Sequence, residues 1–345
     1  MYILMNKNVP VLTLEMDESL YTAKKITPVN LDAGPLYLRL SEDRLHGAFS
    51  EWLTDRVPDW CILSKRKAIL KNYLLNLSDH YWLKPGENDV SWEDITPFRN
   101  PFTEEEYPSP DDATNGMVPK HWEIMDGKRV LVKESREVYH REAKNEVIAS
   151  RLLELLGIPH ISYTEKGGYS YCEDFITEDT ELVPAYHVHP ACKQGENESD
   201  FSWFMRCCHT LDIPVTEAEI ANMLLFDWII FNEDRHYNNF GFIRNANTGK
   251  ILGMAPIYDN GNSLWFDKPS SDFHITYQKC MPFAKNFEKQ KKYMKEATID
   301  LSVLTEEKVR PIFYKVWGAR AENPAIQKMI TLVLFNLSKL QQLWG

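Results

Sequence analysis

Glycine is scarce in this sequence, with 15 in 345 residues, and no internal repeat or low-complexity tract is present, which excludes solenoid and linker-like architectures. Positive charge is also in deficit: 39 Lys and Arg face 50 Asp and Glu, for a formal charge of -11. No global field therefore draws in DNA or an anionic membrane. The one basic run, Lys65, Arg66, Lys67 and Lys71, reads as a solvated helix face. No apolar run approaches the ~20 residues that a bilayer span needs. The N-terminus shows no secretory apolar stretch, so a cytoplasmic protein is expected. Six cysteines (Cys61, Cys172, Cys192, Cys207, Cys208, Cys280) are scattered through a chain too large to need a disulfide framework, in keeping with a reducing compartment.

What is abundant is large side chains: 16 Tyr, 16 Phe and 10 Trp supply enough burial for two or three packed subdomains. Residues 1–40 read as short strands at Tyr2–Met5, Val9–Leu14 and Leu36–Leu40. Helical spacing follows in Leu45, Phe49, Trp52 and Leu53, then in Ile69, Tyr73 and Leu74. Residues 82–112, rich in Pro, Glu and Asp, exclude a long helix or central strand and read as a connector. A hairpin is predicted from His121–Met125 through Asp126-Gly127 to Arg129–Lys133. A helix over 137–156 should end at Gly157, with two strands around Gly167-Gly168 after it. The rest is mostly helical, with helices expected at 284–297, 305–319 and 324–343.

The segment from Asp227 to Phe242 carries the chemistry. An apolar helix ends at a polar cluster holding Asp234 and Asn239, a short strand returns, and a hairpin through Asn247-Thr248-Gly249 leads to a second strand ending at Asp259. That layout gathers Asp234, Asn239 and Asp259 at one hairpin mouth. Phosphoryl transfer needs such a set: one carboxylate to orient the attacking hydroxyl and accept its proton, and two hard oxygen ligands for magnesium. The Asp-x4-Asn spacing matches the catalytic loop of protein kinases, with Asp259 in the place of their D-F-G aspartate. The competing reading is an Asn/Asp-rich helix-capping turn. Lys133, at the end of a β-branched strand, stands where a phosphate-pairing lysine belongs. A second constellation, His187, His189, Cys192, Cys207, Cys208 and His209, has zinc-ligand chemistry but no common finger or ribbon spacing.

The order Asn232-x-Asp234-Arg-His-x-x-Asn239, then Pro256-Ile-Tyr-Asp259-Asn-Gly-Asn262, resembles the kinase domain of HipA-like proteins, the toxin halves of bacterial toxin–antitoxin pairs. The likeness extends through Asp79–Pro85, Trp92–Asp94, Asn100–Phe102 and Ser109–Gly116. It implies an α+β, two-lobed protein-kinase-like fold: an N-terminal module (1–95), an ATP-binding lobe (96–175) and a helical C-lobe (176–345). It also implies ATP and Mg2+ as cofactors, Asp234 as the catalytic base, and Asn239 and Asp259 as metal ligands. Lys133 would hold phosphates, and Asn145-Glu146 makes Glu146 its partner; Glu142, one turn earlier, reads as a solvated salt-bridging residue. Backbone groups of Glu173 and Phe175 would meet adenine. Ser109–Lys120 would be the phosphate loop, with Thr114, Gly116 and Lys120 near the phosphates and Ser109 or Thr114 as autophosphorylation acceptors. This loop lacks the Gly-x-Gly-x-x-Gly of eukaryotic kinases. His236 is expected to orient the loop, and Arg235 to pair with a phosphorylated residue. The expected partners are a protein substrate with a Ser or Thr acceptor and an antitoxin, with nucleic acid met only through a partner. A small-molecule or lipid kinase, and a non-catalytic repressor partner, are the alternatives.

Overall fold

The computed structural model describes residues 1–17, 21–57, 62–99, 108–114, 119–135, 141–274 and 279–344. Gly116 of the expected phosphate loop and Asn100–Phe102 lie outside them.

Strands β1 (Tyr2–Asn6) and β2 (Val9–Asp17) form over the runs that read as short strands in the sequence. β3 (Thr22–Pro28) extends the sheet and was not predicted. As an edge strand with both faces largely exposed, it carries no apolar alternation to signal it. Leu36–Leu40, expected as a strand, is instead one turn of helix, α1 (Leu36–Arg39). Its first three residues are all buried, and a short continuous apolar run does not distinguish strand from helix. Helices α2 (Leu45–Arg56) and α3 (Ile62–Leu70) follow, and Phe49, Trp52 and Leu53 pack on Leu4, Leu12 and Leu14 of the sheet. β4 (Tyr81–Pro85) then closes an antiparallel sheet of order β3-β2-β1-β4. Ending on Pro85, β4 suits an edge position. A short helix, α4 (Trp92–Ile95), begins with a Ser91–Asp94 capping box.

The second sheet opens with the predicted hairpin of β5 (Lys120–Met125) and β6 (Lys128–Glu134). Asp126 and Gly127 take positive φ values of 51° and 76°, as a two-residue primed turn requires. Helix α5 (Arg141–Leu156) ends at Gly157, φ 66°, where the Ile158 N–H donates back to the Leu153 carbonyl at 3.1 Å. β7 (Tyr163–Lys166) and β8 (Tyr169–Glu173) complete the order β5-β6-β8-β7.

β9 (Thr180–Pro184), also not predicted, founds a third sheet of order β11-β10-β9. Helices α6 (Asp200–Thr210) and α7 (Glu217–Ile230) precede its other strands, β10 (Gly241–Asn245) and β11 (Ile251–Met254). Beyond its acidic first turn, α7 is buried on nearly every face, and its large apolar residues belong to the largest core, as a helix so rich in apolar residues must be. Gly241 is obligatory, because a Cβ there would sit 2.2 Å from the Val183 carbonyl oxygen. The helix expected over 284–297 shrinks to α8 (Phe287–Gln290). Beyond Gln290 the chain tightens to i→i+3 bonds, such as Met294 N–H to Lys291 O at 3.1 Å. α9 (Glu306–Trp317) and α10 (Pro324–Trp344) close the chain, with Asn336 of α10 donating to the Trp228 carbonyl of α7 at 2.8 Å.

Arg244 of β10 joins the first and third sheets. It is buried and donates to Glu181 of β9 (2.8 Å), the Tyr81 hydroxyl of β4 (3.1 Å) and the Gly34 carbonyl (3.2 Å).

Candidate active site

A cavity of about 590 Å3 runs between the second sheet and the helical lobe. Thr114, Lys120, Lys133, Glu146, Glu173, Phe175, Asp234, His236, Asn239 and Asp259 line it, whereas Ser109 and Arg235, also expected there, do not. Two local devices bring these together. After β11 the chain runs parallel to the segment following α5, with Ile161 N–H on the Ile257 carbonyl and Ile257 N–H on that of Pro159, both 2.9 Å. This pairing delivers Asp259 to the end of β6. Asp259 has φ 57°, a left-handed conformation that Asp tolerates better than most residues and that is concentrated at functional sites.

Lys133 Nζ lies 3.1 Å from Asp259 Oδ1 and 3.6 Å from Glu146 Oε1. Glu146 is itself anchored by accepting the Asn260 N–H at 2.8 Å. Burial pushes the Glu146 carboxyl up to about 7 against the opposing pull of Lys133. For Asp259 burial also opposes ionisation, but Lys133, Lys120 and Arg235 outweigh it and hold its carboxyl well below the usual range. Its side chain keeps 43% exposure because it faces the cavity. Lys120 pairs in register with Lys133 across the β5–β6 hairpin. Burial, then the neighbouring Lys133, brings its ammonium down to about 8.

Asn239 donates Nδ2 to the Asp234 carbonyl at 2.7 Å, so its amide oxygen is the atom left for a cation. A carboxylate and an amide oxygen are the hard donors that magnesium takes, and the residues fit that ion. One Asp234 oxygen, Oδ2, accepts from Asn262 Nδ2 at 2.6 Å. His236 accepts the Asn238 N–H at its Nδ1, 3.2 Å, which fixes the loop as expected. Thr114 terminates a 3-10 turn (Pro110–Ala113), its hydroxyl on the Asp111 carbonyl at 2.7 Å; the Ser109 hydroxyl accepts from Asp111 N–H at 3.2 Å. The Glu173 side chain leaves the site to pair with Lys128 at 2.7 Å, and the Phe175 ring stacks on Tyr258.

No family model matches the chain. Among curated proteins it is similar to the serine/threonine-protein kinase CtkA of Helicobacter pylori, 29% identical over 132 residues. That match covers 35% of this chain and 40% of CtkA, so the chain aligns with less than half of its relative's length. Among solved structures, the Helicobacter pylori proinflammatory kinase CtkA superposes with a TM-score of 0.52 at 18% identity, covering 66% of this chain and 90% of that one. HipA, in the Shewanella oneidensis MR-1 toxin–antitoxin complex with HipB and operator DNA, superposes with a TM-score of 0.54 at 15% identity. That superposition covers 98% of this chain and 97% of the other. The chain has the HipA-like kinase fold.

Within this fold several supporting residues escape sequence reasoning. Arg235, expected to meet a phosphorylated residue, is fully buried and has all its N–H donors engaged. They go to Asp227, to the carbonyls of Asn239 and Tyr258, and to Asn260 Oδ1, at 2.6–3.3 Å. It is a clamp on both halves of the loop, with no donor left for a phosphate. Glu142 is buried and lines the cavity, contrary to the solvated role expected of it. Gly261 keeps the loop close to α5, since a Cβ there would come within 3.3 Å of the Glu142 carbonyl oxygen. Asn145 secures the same loop by donating to the carbonyls of Gly261 (3.2 Å) and Ser263 (2.6 Å). The zinc constellation does not assemble. Among the described residues no three His, Cys, Asp or Glu side chains converge on a metal position. His189 packs between the tilted ring of Trp203 and the edge-on ring of Tyr237, and Cys207 and Cys208 are core residues.

Proposed function

We propose that the chain is a Mg-ATP-dependent serine/threonine protein kinase of the HipA-like class. The observation that carries this reading is the pair of lysines, Lys120 and Lys133, placed opposite each other across one hairpin beside Asp259. Like charges directly opposite in a sheet are unfavourable, and a polyanion in the cavity would offset that cost. Lys133, held by Glu146, would pair the α- and β-phosphates, with Lys120 and Thr114 nearer their outer face. Asn239 and Asp259 would hold Mg2+, which would supply positive charge against the charge developing on the phosphates. Backbone groups of Glu173 and Phe175 would meet adenine against Leu131, Ile161 and Tyr258, which line that end.

Asp234 would orient the acceptor hydroxyl. With Oδ2 committed to Asn262, Oδ1 is the oxygen that takes the hydroxyl proton as the new O–P bond forms and the bond to the leaving ADP oxygen breaks. Ser109 and Thr114, within the expected phosphate loop, are the proposed autophosphorylation acceptors, and an antitoxin is the proposed partner. Among the described residues no helix is long and apolar enough to cross a membrane. Incubation with γ-labelled ATP tests the reading: label should run with a protein band. Label in solvent-extractable material would move the chain to the lipid or small-molecule kinases. ATP binding without any transfer would leave a non-catalytic binding partner.

A further inference from the structure

The cavity extends beyond the residues assigned to the nucleotide. It continues to the N-terminal module, where Asp55 and Arg56 of α2 form a wall together with His187, in the turn after β9. Two of these side chains make no hydrogen bond or ion pair among the described residues, although His187 packs against the rings of Tyr37 and Tyr186. Asp55 is half-buried and makes no hydrogen bond or ion pair among the described residues. Burial, then the charge of Glu51, pushes its carboxyl up to about 6. His187 likewise makes no hydrogen bond; burial, then the charge of Arg56, holds its ring neutral, its pKa down to about 3. Arg56 does not neutralise Asp55. Its guanidinium is spent on Asp79 and on the carbonyls of Leu74 (2.9 Å) and Tyr81 (3.1 Å), and it lies over the Trp52 ring. Although Arg56 is only 5% exposed, its Nε meets no acceptor.

A partly desolvated carboxylate with no cation of its own is costly unless a ligand brings one. The same cavity is lined by Asp234, His236 and Asn238 of the candidate catalytic loop, so a chain presenting a hydroxyl to Asp234 enters a cavity that the N-terminal residues also line. Leu182 and Pro184 also line it and offer apolar surface for an aliphatic stem. We propose that this wall is the acceptor subsite, and that Asp55 receives a lysine or arginine side chain flanking the acceptor serine or threonine. The inference rests on the kinase reading and adds the sequence class of the acceptor. It gives the N-terminal module a part in choosing the substrate.

A positional-scanning library of serine and threonine peptides, with γ-labelled ATP and the full-length chain, tests it. The wild type should favour Lys or Arg at one flanking position by about tenfold, the equivalent of about 1.4 kcal/mol. Asp55→Asn should flatten that position while the KM for ATP stays unchanged, and Asp55→Lys should turn the preference towards Asp or Glu. A wild-type profile indifferent to charge, or a basic preference that survives Asp55→Asn, overturns the subsite and leaves the kinase reading standing. Absence of transfer to every peptide and to the chain itself overturns both.

Discussion

At the scale of single residues, the site divides into groups that face the cavity and groups that hold them there. The first were legible in the sequence. Asp234, Asn239 and Asp259 announce themselves because paired carboxylates and an amide cluster between an apolar helix and a hairpin. The second were not. Asp227 sits in the buried, apolar half of its helix, and nothing local says that its charge is met by Arg235, eight residues on, rather than by water. Asn262 and Asn145 become partners of Asp234 and of the Gly261 loop only once the chain has closed. Removal of Arg235 leaves Asp227 as an uncompensated buried charge, so Arg235→Met should cost about 3–5 kcal/mol of stability, read as a lowered urea midpoint. Lysine should not rescue it, since an ammonium cannot serve acceptors spread around a planar fork.

Elements place these residues, and how legible each element was follows from how it buries its faces. The β5–β6 hairpin was readable because Asp126-Gly127 specifies its turn, and α5 because Gly157 specifies its end. β3 and β9 passed unseen, one too exposed to alternate and the other a five-residue strand with Pro184 at its end. The hairpin also carries a cost. With Lys120 opposite Lys133, Lys120→Gln should stabilise the nucleotide-free chain by up to about 1 kcal/mol. The same change should weaken ATP binding by about tenfold, through loss of a charged contact. Thermal melts with and without ATP separate the two effects, and a variant that loses stability while binding ATP normally would speak against Lys120 as a phosphate ligand.

For the whole molecule, the buried Arg244–Glu181–Tyr81 cluster links the N-terminal module to the third sheet. Burial pushes the Glu181 carboxyl up to about 7 from 4.5, against the pull of Arg244, and its Oε2 meets no donor. Between those values the folded chain keeps a proton that the unfolded chain has released. This group's contribution to stability therefore falls as pH rises from about 4.5 to 7 and is constant above it. Urea midpoints across that range should show this downward component in the wild type and lose it in Glu181→Gln. The succession of strand-rich and helical stretches was partly legible from composition and turn signals. The docking of its parts was not, because Arg244, Glu181 and Tyr81 are far apart in sequence and individually unremarked.

The central claim concerns Asp234, and its most direct test is transfer from γ-labelled ATP by the wild type and by Asp234→Asn, alongside calorimetric ATP binding. The account predicts that Asp234→Asn binds ATP as the wild type does, because Lys133, Glu146 and Asp259 are untouched, while transfer falls by about 10²–10⁴-fold. Transfer by Asp234→Asn at close to the wild-type rate would contradict it.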